Sequence, residues 1–295
     1  MHRRLFLFAA PAALAAQGAS PALEAKVKEL LARAPGQVWF YAKNLDNGAS
    51  YGHRAGEQVR TASTIKLPIM AAVFAEVEAG RAKFTETLPL TKENKVYGSG
   101  VLKEFSDGLR IPLRDLVHLM IVVSDNTATN MVLDRITADT VNRYAAEWGL
   151  TQTFSMRKIL GAAGQPLGAS EAGKLEKNKR FGLGASTPRD MVKLLEKLER
   201  GEVVSAAASK EMIAILRRQQ IQDGIARRLG EVKVASKSGA LDALRSDVGI
   251  VYAPGGRIAM AITVDGMPKP DWSPDNAGDL FIAELAKVLV EGLGR

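Results

Sequence analysis

Leu23, Val27, Leu30 and Leu31 recur at helical spacing ahead of Pro35-Gly36, which predicts a first helix over 23–34. The period then shortens. Residues 38–45 are rich in aromatic and branched side chains, and Asp46-Asn47-Gly48 turns the chain into a second short run ending at His53, the pattern of a β-hairpin. From Ser63 an apolar helix is predicted to about Glu78, with Gly80 as its stop. Further helices are expected over 112–123, 126–136, 138–148 and 206–217. Another starts at Thr187-Pro188-Arg189-Asp190, which reads as a capping box with proline at the first helical position. Towards the C-terminus the pattern returns to strands over 232–236, 248–252 and 258–264, with Pro254-Gly255-Gly256 as a turn, before an amphipathic helix over 276–293.

Strands at both ends with helices between them predict an α/β fold of the α+β sandwich type. One antiparallel sheet is formed by both chain ends and flanked by helices, with an all-helical lobe inserted. The expected division is an α/β lobe over about 20–62 and 218–295 and a helical lobe over about 63–217. Residues 92–108 and 151–185 carry no clear period, and irregular segments of that length are usually functional or mobile.

Residues 1–19 read as a secretory leader: Arg3 and Arg4 are basic, 5–16 are apolar, and small residues follow. Arg3-Arg4-Leu5-Phe6-Leu7 also fits a twin-arginine signal loosely, so a periplasmic or secreted location is expected by either export route. No run reaches the roughly 18 apolar residues that a membrane span needs. With 46% apolar and 24% charged residues the chain is an ordinary globular one, which excludes disorder. It has no cysteine, which removes thiolate catalysis and cysteine-held metal. The net charge is +8, or +6 without Arg3 and Arg4, but the basic residues are spread and aromatics make up only 6%. A solvated basic surface that favours anionic substrates or the cell envelope is expected, with no nucleic-acid partner. A monomer is expected.

Three short strings carry the chemistry. In Ser63-Thr64-Ile65-Lys66, a serine and a lysine three apart on a helix share one face, about 5–6 Å apart at Cβ. A neutral amine can then take the serine's proton, and the helix N-terminus offers an N–H to an oxyanion. The signal is weak alone, because Ser155-Met156-Arg157-Lys158 repeats it. Ser124-Asp125-Asn126 suits a helix cap, and equally a proton relay through Ser124 with a substrate-binding amide on Asn126. Lys237-Ser238-Gly239 ends a predicted strand; a solvated lysine is one reading. The other gives Lys237 a field that lowers the pKa of Lys66, gives Ser238 a substrate carboxylate, and gives the Ala240 N–H a second oxyanion contact.

Taken together, and with the run Ser124-Asp125-Asn126-Thr127-Ala128-Thr129-Asn130 and Ser186-Thr187-Pro188, the chain resembles class A β-lactamases among the penicillin-recognising serine hydrolases. The likeness runs over most of the chain beyond the leader. It implies Ser63 as acylated nucleophile, Lys66 as its proton acceptor or relay, and Ser124 as proton shuttle. It also implies Asn126, Lys237 and Ser238 as substrate contacts, Arg245 as carboxylate partner, and Asn130 as support for a loop glutamate that activates the deacylating water. The chain departs from the family at that glutamate. Aligned without gaps, Ile159 stands in its place; counting back from Pro188 offers Glu171 instead, with Glu176 close by. The expected function is therefore opening of β-lactams and hydrolysis of the acyl-enzyme. A D-alanyl-D-alanine peptidase acting on cell-wall peptides is the alternative, and a non-enzymatic β-lactam or muropeptide sensor a third reading. His2, His53 and His118 have no second ligand at metal spacing, so neither a metal nor another cofactor is expected.

Overall fold

The structure, a computed structural model, describes residues 19–160 and 168–294. The expected leader therefore lies, but for Ala19, outside the described residues. Helix α1 (Pro21–Ala32) begins where Ser20 accepts a hydrogen bond from the Leu23 N–H and proline takes the first helical position. Strands β1 (Gln37–Asn44) and β2 (Ser50–His53) form the predicted hairpin, with Gly48 at a positive φ of 79° in its turn. After the short β3 (Val59–Arg60) the chain enters a 3-10 turn over Ala62–Ile65 and then α2 (Lys66–Glu78).

The paired β4 (Thr87–Pro89) and β5 (Arg110–Pro112) lead into α3 (Leu113–Val122), α4 (Asn126–Ile136) and α5 (Ala138–Glu147). Then come β6 (Phe154–Ser155), the one-turn α6 (Glu171–Lys174), β7 (Gly184–Ser186), α7 (Pro188–Glu199) and α8 (Ala206–Leu216). Strands β8 (Val234–Leu241), β9 (Leu244–Ala253) and β10 (Gly256–Asp265) precede the closing helix α9 (Ala277–Leu293). No helix among the described residues is long and apolar enough to cross a membrane.

The main sheet runs β2-β1-β10-β9-β8, antiparallel throughout, so strands from both chain ends meet at the β1–β10 pair as expected. Its central strands are buried on both faces, because side chains alternate between two cores. Phe40, Met260 and Ile262 pack with Leu285 and Leu289 of α9 and Val27 of α1. On the other face the small Ala259 and Ala261 join the core of the helical lobe, which leaves room for α7 to lie against β1 and β10. Burying a single leucine- or phenylalanine-sized side chain in such a core contributes roughly 1.5–3 kcal/mol.

Three local expectations change. Lys237-Ser238-Gly239 lies inside β8 and not at its end, because pairing with β9 continues to Leu241 opposite Leu244. Ser63 sits in the 3-10 turn ahead of α2, where residues three apart eclipse. Thr187 caps α7 by accepting from the Asp190 N–H at 3.0 Å, but the capping box is not reciprocated. The Asp190 carboxylate instead accepts from the Gln152 N–H at 2.8 Å and the Thr153 hydroxyl at 3.1 Å.

The two unpatterned segments owe their order to side chains that compensate the loop backbone. In 92–108 the Asp125 carboxylate accepts from the Val101 and Leu102 N–H groups at 2.6 and 2.9 Å, and Thr127 accepts from the Val96 N–H. Within 151–185, β7 pairs with β3 and β6 in a small second sheet, and Ser170 ties α6 to the Ser155 and Met156 carbonyls. Such anchoring to buried partners is invisible to hydrophobic periodicity.

Candidate active site

Ser63 borders a cavity of about 620 Å³ that all three strings line: Ser63 itself, Ser124 and Asn126, and Ser238-Gly239-Ala240. The residue before the serine, Ala62, is left-handed (φ 46°), and Ser124 is too (φ 55°). Non-glycine residues in that region each cost roughly 1–3 kcal/mol and recur where geometry serves function. The strain at Ser124 is held from both sides. Asp125 caps α4 through the Ala128 N–H at 2.8 Å, and its own N–H donates to the Leu119 carbonyl.

Lys66 is fully buried; its Nζ donates to the Ser124 carbonyl (2.8 Å), the Ser124 hydroxyl (3.2 Å) and Asn126 Oδ1 (2.9 Å). Burial holds its pKa well below the usual lysine range, and the nearby Lys237 lowers it further, with Asp125 opposing. The sequence assigned this shift to Lys237, but desolvation is the larger cause. Lys237, also fully buried, donates to the Ser124 hydroxyl at 3.0 Å and to the Ser238 carbonyl at 2.6 Å. Its own pKa falls to about 7 through burial, opposed by Asp247. Ser124 thus links two amines that share a poorly solvated pocket.

Gly239 explains how β8 reaches the serine. A Cβ there would stand 2.8 Å from the Thr61 carbonyl oxygen, 2.9 Å from the Ser63 nitrogen and 3.0 Å from the Thr64 nitrogen. Only glycine lets the strand lie flush on the 3-10 turn and brings Ala240 beside the Ser63 backbone. Arg245, paired with Ala240 across the β8–β9 ladder, also borders the cavity. Its guanidinium donates to Asp279 (2.9 Å), to the Leu241 and Leu244 carbonyls (2.8 Å each) and to the Asp271 carbonyl. A guanidinium has five N–H groups, and these contacts use four of them.

The glutamate is where the expectation fails. Glu171 does not reach the cavity: its side chain is 79% exposed and paired with Lys174 one turn along α6, at 2.5 Å. Glu176 likewise faces solvent, paired with Lys179. Both lie in the polar stretch that caps and solvates the outside of this loop. Ile159 is the residue that borders the cavity, beside Leu183, and among the described residues no glutamate does so. Asn130 holds Ile159 there through its backbone, accepting from the N–H at 2.8 Å and donating to the carbonyl at 3.1 Å. The second serine–lysine string is separate: Ser155 is buried on β6, and Lys158 pairs with Asp134.

Sequence reasoning missed Asp247 and Trp272. Asp247 lies directly across from Ser238 in the ladder, is buried, and accepts from the Ile225 N–H at 2.9 Å, while its Oδ1 has no partner. Burial raises its pKa to about 7. Asp247 ends the polar run Arg245-Ser246-Asp247, just ahead of the strand expected over 248–252, so no apolar period marked it. Trp272 borders the cavity and is 64% exposed. No group of three or more histidines, cysteines or acids is placed to hold a metal ion among the described residues.

The arrangement supplies a serine, a fully buried amine whose pKa is lowered, a hydroxyl between two amines, and a strand edge laid against the serine's backbone. Comparison with known proteins places it. The model of the β-lactamase enzyme family matches residues 22–293. A β-lactamase regulatory protein, BlaB, from Streptomyces cacaoi is 24% identical, with 86% of this chain and 92% of that protein covered. Among solved structures, a β-lactamase from Sphaerobacter thermophilus superposes with a TM-score of 0.78 at 29% identity, covering 92% of this chain and 97% of that one. A leucine-to-glutamate mutant of PBP-A, in acyl-enzyme complex with penicillin G, gives 0.77 at 28% identity, over 92% and 95%. With a match that spans nearly the whole described fold and a site assembled from all three strings, the chain belongs to the β-lactamase enzyme family.

Proposed function

We propose that this protein is a penicillin-binding D-alanyl-D-alanine peptidase that β-lactams acylate at Ser63 and then leave only slowly. Ile159 carries this reading: where a loop carboxylate would activate the deacylating water, the cavity has an aliphatic side chain with its backbone fixed by Asn130. The likeness to PBP-A, whose leucine-to-glutamate mutant is captured as a penicillin G acyl-enzyme, supports acylation by β-lactams.

In this mechanism uncharged Lys66 takes the Ser63 proton as Oγ bonds to the carbonyl carbon. The electron pair moves to the carbonyl oxygen, which the Ser63 and Ala240 N–H groups receive. As the C–N bond breaks, the oxyanion's electron pair returns to re-form the carbonyl and the departing nitrogen takes a proton from Ser124, which the Lys66 ammonium replaces, so the Ser63 proton ends on the leaving group and Lys66 is uncharged again. Asn126 orients the acyl side chain. Ser238, the Lys237 ammonium and the remaining Arg245 N–H hold the substrate carboxylate. A peptide's amine leaves and admits water from its side; a β-lactam's amine stays tethered and blocks that path. The leader-like residues 1–19 support export to where cell-wall peptide is met.

The test is acyl-enzyme lifetime. Purified protein is mixed with a chromogenic cephalosporin, and turnover is followed beside intact mass. The expected result is one stoichiometric adduct, absent in Ser63→Ala, with turnover far below the roughly 1–1000 per second of ordinary enzymes. Many turnovers without an accumulating adduct would establish the second reading, a hydrolysing β-lactamase, which the Sphaerobacter likeness favours.

A further inference from the structure

The cavity does not end at the groups assigned to the substrate carboxylate. The same cavity is also bordered by Ile221, Asp223 and Gly224 and, next to Arg245, by Trp272 and Pro274. Trp272 is an exposed indole on a rigid support. Its ring lies against the Arg245 guanidinium, 4.9 Å from the ring centre. The preceding Asp271 carbonyl accepts from both Arg245 and Asn276, and the Asp271 side chain accepts from the Ser273 N–H. A large aromatic face fixed in this way and left open to the cleft is built for contact, since an idle one would be better buried.

The charges here are unequal. Asp279 pairs with Arg245 and Asp275 with Arg227, whereas Asp223 makes no ion pair among the described residues. Burial raises the Asp279 pKa to about 6, and the Asp223 charge adds to that rise. A cation entering here would relieve that repulsion.

Resting on the reading above, we propose that this end of the cleft is a leaving-group subsite for a residue whose side chain is an aliphatic stem with a terminal amine. The stem lies on Trp272 and the ammonium pairs with Asp223. The direction follows from the chemistry. With the scissile carbonyl at Ser63 and the leaving residue's carboxylate at Ser238 and Arg245, only that residue's own side chain can extend past Arg245. The preferred bond is then an amide between D-alanine and the α-amine of a C-terminal residue with an amine-bearing side chain, over one to a second D-alanine.

The test uses peptides ending D-Ala-D-Lys, D-Ala-D-norleucine and D-Ala-D-Ala. Binding to the uncleaving Ser63→Ala protein is measured by calorimetry, and kcat/KM on the wild type. D-Lys is expected to bind about fivefold better than D-Ala, the sum of a rim ion pair and a ring contact, with D-norleucine between them. Asp223→Asn should bring D-Lys down to D-norleucine, and Trp272→Ala should bring both towards D-Ala. Equal binding of the three peptides, or a preference that survives Asp223→Asn, overturns the subsite. Failure of penicillin G to acylate wild-type Ser63 would instead overturn the peptidase reading, and the calorimetric ranking judges the subsite separately.

Discussion

The side-chain amide of Asn130 grips the backbone of Ile159 from both sides, accepting from its N–H at 2.8 Å and donating to its carbonyl at 3.1 Å. This two-point hold on a buried asparagine fixes which loop residue faces the cavity, whatever its side chain. Ile159 borders the cavity and Glu171 does not.

Ile159→Glu should therefore place a carboxylate beside the acyl-serine without moving the loop. General-base assistance contributes typically 10²–10⁴-fold, so the β-lactam adduct should decay at least about 100-fold faster by intact mass. Glu171→Gln, which alters a solvated pair on α6, should leave adduct decay within about twofold of wild type. An unchanged lifetime in Ile159→Glu would remove Ile159 as the cause of slow release.

Acylation should have a bell-shaped pH dependence. Burial, then Lys237, keeps Lys66 uncharged well below the usual lysine range, so lowering the pH protonates the acceptor and slows the attack. Raising the pH above about 7 discharges Lys237 and weakens its hold on an anionic substrate. The two amines share Ser124, so the limbs report the pair and not either lysine alone. Lys66→Ala should lower the second-order rate of penicillin G acylation at least about 100-fold and remove the acid limb.

Gly239→Ala tests the close approach of β8. All three atoms that the new Cβ would meet at 2.8–3.0 Å are backbone, so the strand or the 3-10 turn must shift. Overpacking of this kind costs typically 1–3 kcal/mol in stability. Displacing the Ser63 and Ala240 N–H groups should also slow acylation at least about tenfold, read from adduct formation. Normal acylation kinetics would show that these N–H groups need not be held in register.

Asp247 should make stability depend on pH. Its folded pKa is raised to about 7, so the folded protein holds this proton more tightly than the unfolded chain does. That contribution is fully present below the unfolded carboxylate range and is lost as the pH rises through about 7. Lys237 has the opposite slope above 7, because its folded pKa is depressed. Asp247→Asn mimics the protonated form. Relative to wild type it should gain on the order of 1–3 kcal/mol between pH 5 and pH 7.5, measured by denaturant unfolding. A parallel pair of stability profiles would show that Asp247 does not titrate in this range.

The apolar patterning of the chain was sufficient to place nearly every long element, because helices and strands bury a face whose period is written in the sequence. Helix α4 begins and ends at the residues that its periodicity marks, and the β1–β2 hairpin follows from Asp46-Asn47-Gly48. The short strings likewise named the residues that line one cavity, since residue type and order are local facts. Their environment is not local. The pKa of Lys66 is lowered chiefly because distant elements exclude water from it. Of two Ser-x-x-Lys strings, only the first borders the cavity that Ser124 and Asn126 share. The choice of Ile159 over Glu171, the strand edge pressed on Ser63, and the reach of the cleft to Trp272 all depend on contacts between residues far apart in the chain. Burial, close approach and exposure arise from packing, and they decided which of the legible residues can act.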